Sequence, residues 1–326
     1  MAGADAEDGD VLEMGQERPS RRWAVGRRSR LALAVAGACA LLAVAGTLAA
    51  LRLDSHGPAD PALARLVAEV TTVPLSKPAG TSYSVSASSG NSSSASIALL
   101  LGGAPSAVSG PPLTAGGKPE VLYVATEFCP YCVAENWALI VALSRFGTFS
   151  GLRTSRSPYF DDIPPVDGWT FYGSTYQSRY LAFVPVETYS NVLKSAHADP
   201  ASAKSYRALQ HLTTAQQAAV SRYDQGRETP FFDFAGQATL TGSAVEPVVL
   251  ADVPWSKIAA DLRRPATPVG GAILAAAATL TSELCQLTGD RPAAACPKWV
   301  RLGVVQAVRL RPAHGRVSGQ PKVTKA

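Results

Sequence analysis

The feature that most constrains the fold of this chain is an apolar strand pattern that runs into a cysteine pair at the start of a helix. Residues 121–125, Val-Leu-Tyr-Val-Ala, form a continuous apolar run, the pattern of a central strand covered on both faces. Cys129-Pro-Tyr-Cys132 follows. Val133, Trp137, Ile140, Val141 and Ser144 then share one helical face, with Gly147 placed to end the helix. Pro130 suits the first helical turn, where its missing N–H has no intrahelical partner to lose. Cys129 then falls at or near the N-cap, facing unpaired backbone N–H groups and the positive end of the helix dipole. Both effects stabilise a thiolate. Cys129 is therefore the expected nucleophile, and Cys132, one turn on, the expected resolving thiol.

Other readings of the pair stay open: a purely structural disulfide, half a zinc site, or a redox vestige on a domain now used for binding. The zinc reading lacks a second C-x-x-C, and His56, His197, His211 and His314 show no ligand spacing. No metal and no cofactor are expected.

Downstream, residues 152–156, 170–172 and 180–186 read as strands. The Pro- and Asp-rich tract between the first two, through Gly168, reads as loop. Residues 201–223 read as one or two helices. Residues 229–242 read as two short strands joined by a tight turn at 235–237, and helices follow around 255–263 and 271–287.

This order resembles the thioredoxin fold, in which a cis-proline opens the strand after the middle helix and packs against the cysteine pair. The resemblance implies that Pro230 is cis and that the Thr229 backbone can pair with an extended substrate strand. Read without it, Pro230 starts a strand, where proline is tolerated. Thr229, Pro230 and Tyr131 are the candidate substrate contacts. Glu127, two residues before Cys129, could relay a proton to the thiols or stand as an exposed strand-end carboxylate. Tyr123 occupies the position where thioredoxins carry a buried acid. Glutaredoxins share the Cys-Pro-Tyr-Cys sequence, but no glutathione site is legible.

The block at 117–132, Gly-Lys-Pro-Glu-Val-Leu-Tyr-Val-Ala-Thr-Glu-Phe-Cys-Pro-Tyr-Cys, and its continuation at 137–147 resemble a bacterial and archaeal thioredoxin-like family. Its label is domain of unknown function 929. The Phe-Tyr-Gly-Ser-Thr-Tyr at 171–176 and the Phe-Val-Pro-Val-Glu at 183–187 resemble it too. In that family an Ala often follows the second cysteine and an Arg precedes the Trp; Val133 and Asn136 stand there in this chain. The resemblance implies a thioredoxin-like fold and membrane association, without a substrate.

Leu31 to Leu51 carries no charge and is rich in Leu, Ala and Val; as a helix it would span about 31 Å, close to the hydrocarbon thickness of a bilayer. Arg18, Arg21, Arg22, Arg27, Arg28 and Arg30 precede it, so the N-terminus is expected in the cytoplasm and the remainder outside. A cleaved signal peptide would have a shorter lead and a shorter apolar run. The net charge is +5, but the basicity is uneven: this arginine cluster follows an acidic run with Asp5, Glu7, Asp8, Asp10 and Glu13, and no basic-aromatic motif accompanies it, so no nucleic-acid partner is expected. Outside the membrane, disulfides persist, and Cys285 and Cys296 are the expected structural pair, with a second redox pair as the alternative.

The expected architecture is α/β: a thioredoxin-like fold, with a central mixed sheet flanked by helices, preceded by one transmembrane helix and followed by a helical extension. Its parts are a cytoplasmic tail (1–30), a membrane helix (31–51), a stalk with a short helix (52–117), the thioredoxin-like domain (118–265), the extension (266–312) and a tail (313–326). The expected activity is thiol–disulfide exchange on protein thiols or disulfides of the cell envelope, with a membrane electron-transfer partner. The alternative is a non-catalytic binding or scaffold module of the envelope.

Overall fold

A computed structural model describes residues 60–74, 103–160 and 162–300. The expected tails and membrane helix, the part of the stalk at 52–59 and 75–102, and its apolar stretch at 97–101 lie outside the described residues.

Helix α1 (Pro61–Thr71) comes first, then the short strands β1 (Ser106–Ala107) and β2 (Thr114–Ala115), strand β3 (Lys118–Ala125) and helix α2 (Pro130–Leu143). Strands β4 (Gly147–Ser150), β5 (Arg153–Arg156), β6 (Asp167–Thr170) and β7 (Thr175–Ser178) lead to β8 (Ala182–Glu187), β9 (Tyr189–Leu193) and β10 (Tyr206–Ala208). Helix α3 (Thr214–Tyr223), strands β11 (Phe231–Phe234) and β12 (Ala238–Thr241), and helices α4 (Trp255–Asp261) and α5 (Pro268–Thr288) complete the order.

The central sheet is mixed, and β3 is its axis. Strand β8 runs parallel to β3, with Ala125 opposite Glu187, while β11 runs antiparallel, with Val121 opposite Phe234. Strands β12 and β1 extend the sheet beyond β11, and β2 pairs with the start of β3. Side chains of β3 alternate between two cores. Val121, Tyr123 and Ala125 join the large core with α2 and α5, whereas Leu122 and Val124 pack with Phe231, Val186 and Val220 of α3. Burial on both faces explains why residues 121–125 are apolar throughout instead of alternating.

Helix α2 departs from the single apolar face expected for it: all of its residues are buried, because α1, α5, β6 and the sheet surround it. It ends at Leu143, and Gly147 opens β4 instead of closing the helix. Gly168 also differs from the loop expected there, lying in β6 opposite Ser155 of β5. A Cβ on Gly168 would sit 2.5 Å from the Val133 carbonyl oxygen, so glycine is what lets β6 lie against α2. Residues 201–223 hold only one α-helix, α3. Tyr206 is instead in β10, which pairs with β9, and its ring is fully buried against Phe128. The sheet also begins before Lys118, since β1 and β2 come from the Gly- and Pro-rich stretch expected as linker.

Among the described residues one helix, α5, is long and apolar enough to cross a membrane. Within its apolar window 72% of the residues are buried inside the protein, the situation of a core helix. Cys285 near its C-terminal end is bonded to Cys296.

Candidate functional site

Cys129 is the N-cap of α2, in extended backbone geometry (φ −80°, ψ 118°), and Pro130 opens the first turn. The Cys132 N–H donates to the Cys129 Sγ at 3.3 Å, the bond a capping side chain makes to the first turn. The sulfur therefore sits where the helix's unpaired donors converge. The Thr229–Pro230 peptide is cis, and the Thr229 carbonyl oxygen lies 3.6 Å from the Cys129 Sγ. Residues distant in sequence thus meet because β3, which leads into α2, ends where β11 begins, with Phe231 opposite Val124.

Cys129 and Cys132 are free thiols, and both are fully buried. Burial, reinforced by the adjacent Cys129 sulfur, pushes the Cys132 thiol well above its ordinary range, while the Thr126 backbone pulls the other way. Tyr131 lies in the first turn of α2 with 9% of its surface exposed. Glu127 is held by β9: its N–H donates to the Tyr189 carbonyl at 2.9 Å, and its Oε2 accepts from the Asn191 N–H at 3.4 Å. Phe128, just before Cys129, stacks on Tyr206 with ring centroids 4.3 Å apart and 2° between planes, and Phe160 and Tyr189 flank it.

Sequence reasoning missed a set of buried polar groups around the pair. The Tyr123 hydroxyl donates to Asn136 Oδ1 at 2.6 Å, Asn136 Nδ2 donates to the Trp169 carbonyl at 2.7 Å, and Trp137 Nε1 donates to the Asp167 carbonyl at 2.9 Å. Glu135, one turn past Cys132, turns its Oε2 to the Ser243 hydroxyl and the N–H groups of Ala244 and Val245, at 2.9, 2.7 and 3.2 Å. Its Oε1 is buried and has no hydrogen-bond partner. Burial raises this acid to about 7, against the pull of its three donors. Glu187 accepts the Phe171 N–H at 2.6 Å and is raised to about 8, chiefly by burial, with the charge of Glu127 adding to the rise. A glutamate within the apolar pattern of α2 was the available signal, since a buried carboxylate requires donors. Its partners on the 243–245 loop were not visible from the local sequence.

The loop that delivers Thr229 is organised by Asp224. Burial is the main reason its carboxyl is pushed up to about 6, and the backbone N–H groups of Glu228, Arg227 and Gly226 turn toward it. Beside this loop lies a cleft of about 310 Å³, with Val124, Tyr189, His211, Val220, Thr229 and Phe231 among its lining. Among the described residues no group of three or more His, Cys, Asp or Glu could hold a metal ion.

The arrangement brings together a sulfur at a helix N-terminus, a second sulfur one turn on, and a backbone carbonyl beside the first, all of them inside the protein. No curated protein and no solved structure matches the chain. The model of the domain of unknown function DUF929 matches residues 105–286, and the chain belongs to that family.

Proposed function

We propose that this chain is a membrane-anchored, extracytoplasmic thiol–disulfide oxidoreductase with a thioredoxin-like fold. The observation that carries the reading is the meeting of three groups: Cys129 Sγ at the N-cap of α2, the Cys132 N–H directed at it, and the Thr229 carbonyl 3.6 Å away.

In the reducing direction the Cys129 thiolate attacks one sulfur of a substrate disulfide. That S–S bond breaks, a Cys129–substrate disulfide forms, and the other substrate sulfur leaves as a thiolate carrying the electron pair. Cys132 then gives up its proton and attacks Cys129, releasing the second substrate thiolate and leaving a Cys129–Cys132 disulfide. Two electrons have passed to the substrate, and the reverse sequence oxidises a dithiol. Thr229 and Pro230 border the attacking sulfur, and Tyr131 lies in the same first turn. The substrates are protein thiols or disulfides of the cell envelope, and a membrane partner restores the pair.

A second reading has its own observation. Both cysteines are fully buried, which suits a binding or scaffold module as well as a closed enzyme. A redox titration of the purified chain, with thiol trapping and mass spectrometry, separates the two. A reversible Cys129–Cys132 disulfide with a potential between about −270 and −120 mV supports the oxidoreductase. A pair that never bonds, or that resists reduction below about −300 mV, leaves the scaffold.

A further inference from the structure

We propose that the cleft beside Thr229 is a side-chain pocket that seats an apolar residue of a polypeptide substrate next to its reacting cysteine. The inference rests on the oxidoreductase reading for its chemistry and adds what the site selects.

The floor of the cleft is Val124, Val220 and Phe231, part of the apolar cluster between the sheet and α3. Its walls are polar, with His211 from the connector before α3, Gln217 and Ser221 from α3, and Arg227 from the loop after it. Thr229 is the shared boundary: it lines the cleft, and its carbonyl oxygen lies 3.6 Å from the Cys129 Sγ. The cleft lies on the α3 face of the sheet and α2 on the other, and Thr229 joins the two at the sheet's end, so a polypeptide whose sulfur has reached Cys129 enters the cleft by crossing Thr229. In an extended chain, side chains alternate and each residue advances about 3.3 Å, so the residue two positions from the cysteine points the same way about 7 Å along.

An apolar floor under polar walls seats one apolar side chain while offering hydrogen-bond partners to the peptide backbone around it. A volume of about 310 Å³ suits one large side chain and a little of its backbone, not an element of a folded surface. The wall is also set in advance. Arg227 holds a left-handed backbone (φ 52°), and the loop's N–H groups are gathered on Asp224. A wall fixed before binding loses little freedom when the substrate arrives, which favours discrimination between side chains.

The test uses peptides of one alanine-rich sequence with a single cysteine held as a mixed disulfide with thionitrobenzoate. Alanine, leucine or phenylalanine stands two residues from the cysteine, and the peptides react with the full chain. Cys129 attacks the peptide sulfur, the bond to thionitrobenzoate breaks, a Cys129–peptide disulfide forms, and thionitrobenzoate leaves as the coloured thiolate with the electron pair. The leucine and phenylalanine peptides are expected to react about tenfold faster than the alanine peptide. Ser221→Trp, or Gln217→Trp where the first variant fails to fold, fills the cleft from an exposed position on α3. Either should bring the three rates of that variant within about twofold of one another. Equal rates for the native chain, or a preference that survives both fillings, overturns the pocket.

A chain that reacts with none of these peptides, nor with the small aromatic disulfide of thionitrobenzoate itself, fails as an oxidoreductase. The pocket is then judged by binding alone, with fluorescent peptides carrying serine for cysteine. Tighter binding of the leucine peptide than the alanine peptide, lost in Ser221→Trp, keeps the pocket, and equal binding overturns it.

Discussion

Replacing Glu135 with glutamine isolates the cost of a carboxylate buried in the core of the cysteine-bearing helix. Glutamine offers an acceptor of the same shape to Ser243, Ala244 and Val245 but does not titrate. Burial raises the native carboxyl from 4.5 to about 7, so between those values the folded state holds a proton that the unfolded state has lost. Stability therefore falls as pH rises through that window: the contribution is intact below 4.5 and fully lost above about 7. At about 1.36 kcal/mol per pH unit, the rise corresponds to about 3 kcal/mol. Glu135→Gln should accordingly be about 3 kcal/mol more stable than the native chain near pH 8.5, and within about 0.5 kcal/mol of it near pH 4. Urea unfolding followed by tryptophan fluorescence reads this directly, because Trp137 and Trp169 are both fully buried in the same core. A gain of the same size at both pH values, or a loss near pH 8.5, would refute the reasoning.

Glu187→Gln should behave with the same sign over a window reaching about 8, read by the same titration. Gly168→Ala should destabilise by about 1–3 kcal/mol in urea unfolding, because its Cβ would meet the Val133 carbonyl oxygen at 2.5 Å and push β6 off α2. Trp137→Phe should cost about 1–3 kcal/mol, since the Asp167 carbonyl loses its indole donor inside the core; an unchanged urea midpoint would count against that bond. Cys285→Ser with Cys296→Ser should cost about 3 kcal/mol, the loop-closure value for a sequence separation of 11, and should leave trapping of Cys129 by alkylating reagents unchanged.

The parts of the fold legible in the sequence are those whose signals are local. The apolar run at 121–125, the proline after Cys129, and the turn residues between Phe234 and Ala238 each specify their element through neighbours along the chain. The helices at Pro61–Thr71, Trp255–Asp261 and Pro268–Thr288 show the same local logic. Tyr206 shows where local reading ends, for its strand is fixed by a stack against Phe128 in a distant part of the chain. Gly168 looks like a loop residue until α2 lies against it. In the candidate site, the place of Cys129 and Cys132 at the start of α2 was legible because a proline after the first cysteine marks the first helical turn. Glu135 was visible only as an anomaly, because the donors that hold it lie on a loop more than a hundred residues away.

The burial of α2 on every side makes the helix both the carrier of the cysteine pair and the centre of the core. Under the proposed exchange chemistry, forming or breaking a bond between Cys129 and Cys132 acts on the same contacts that hold the domain folded. Reduction potential and folding stability become two readings of one thermodynamic cycle: a packing change anywhere around α2 that favours one redox state by about 1.4 kcal/mol shifts the pair's potential by about 30 mV. Residues that never approach a substrate, on α1, α5 or β6, would in this way set how readily the pair accepts electrons.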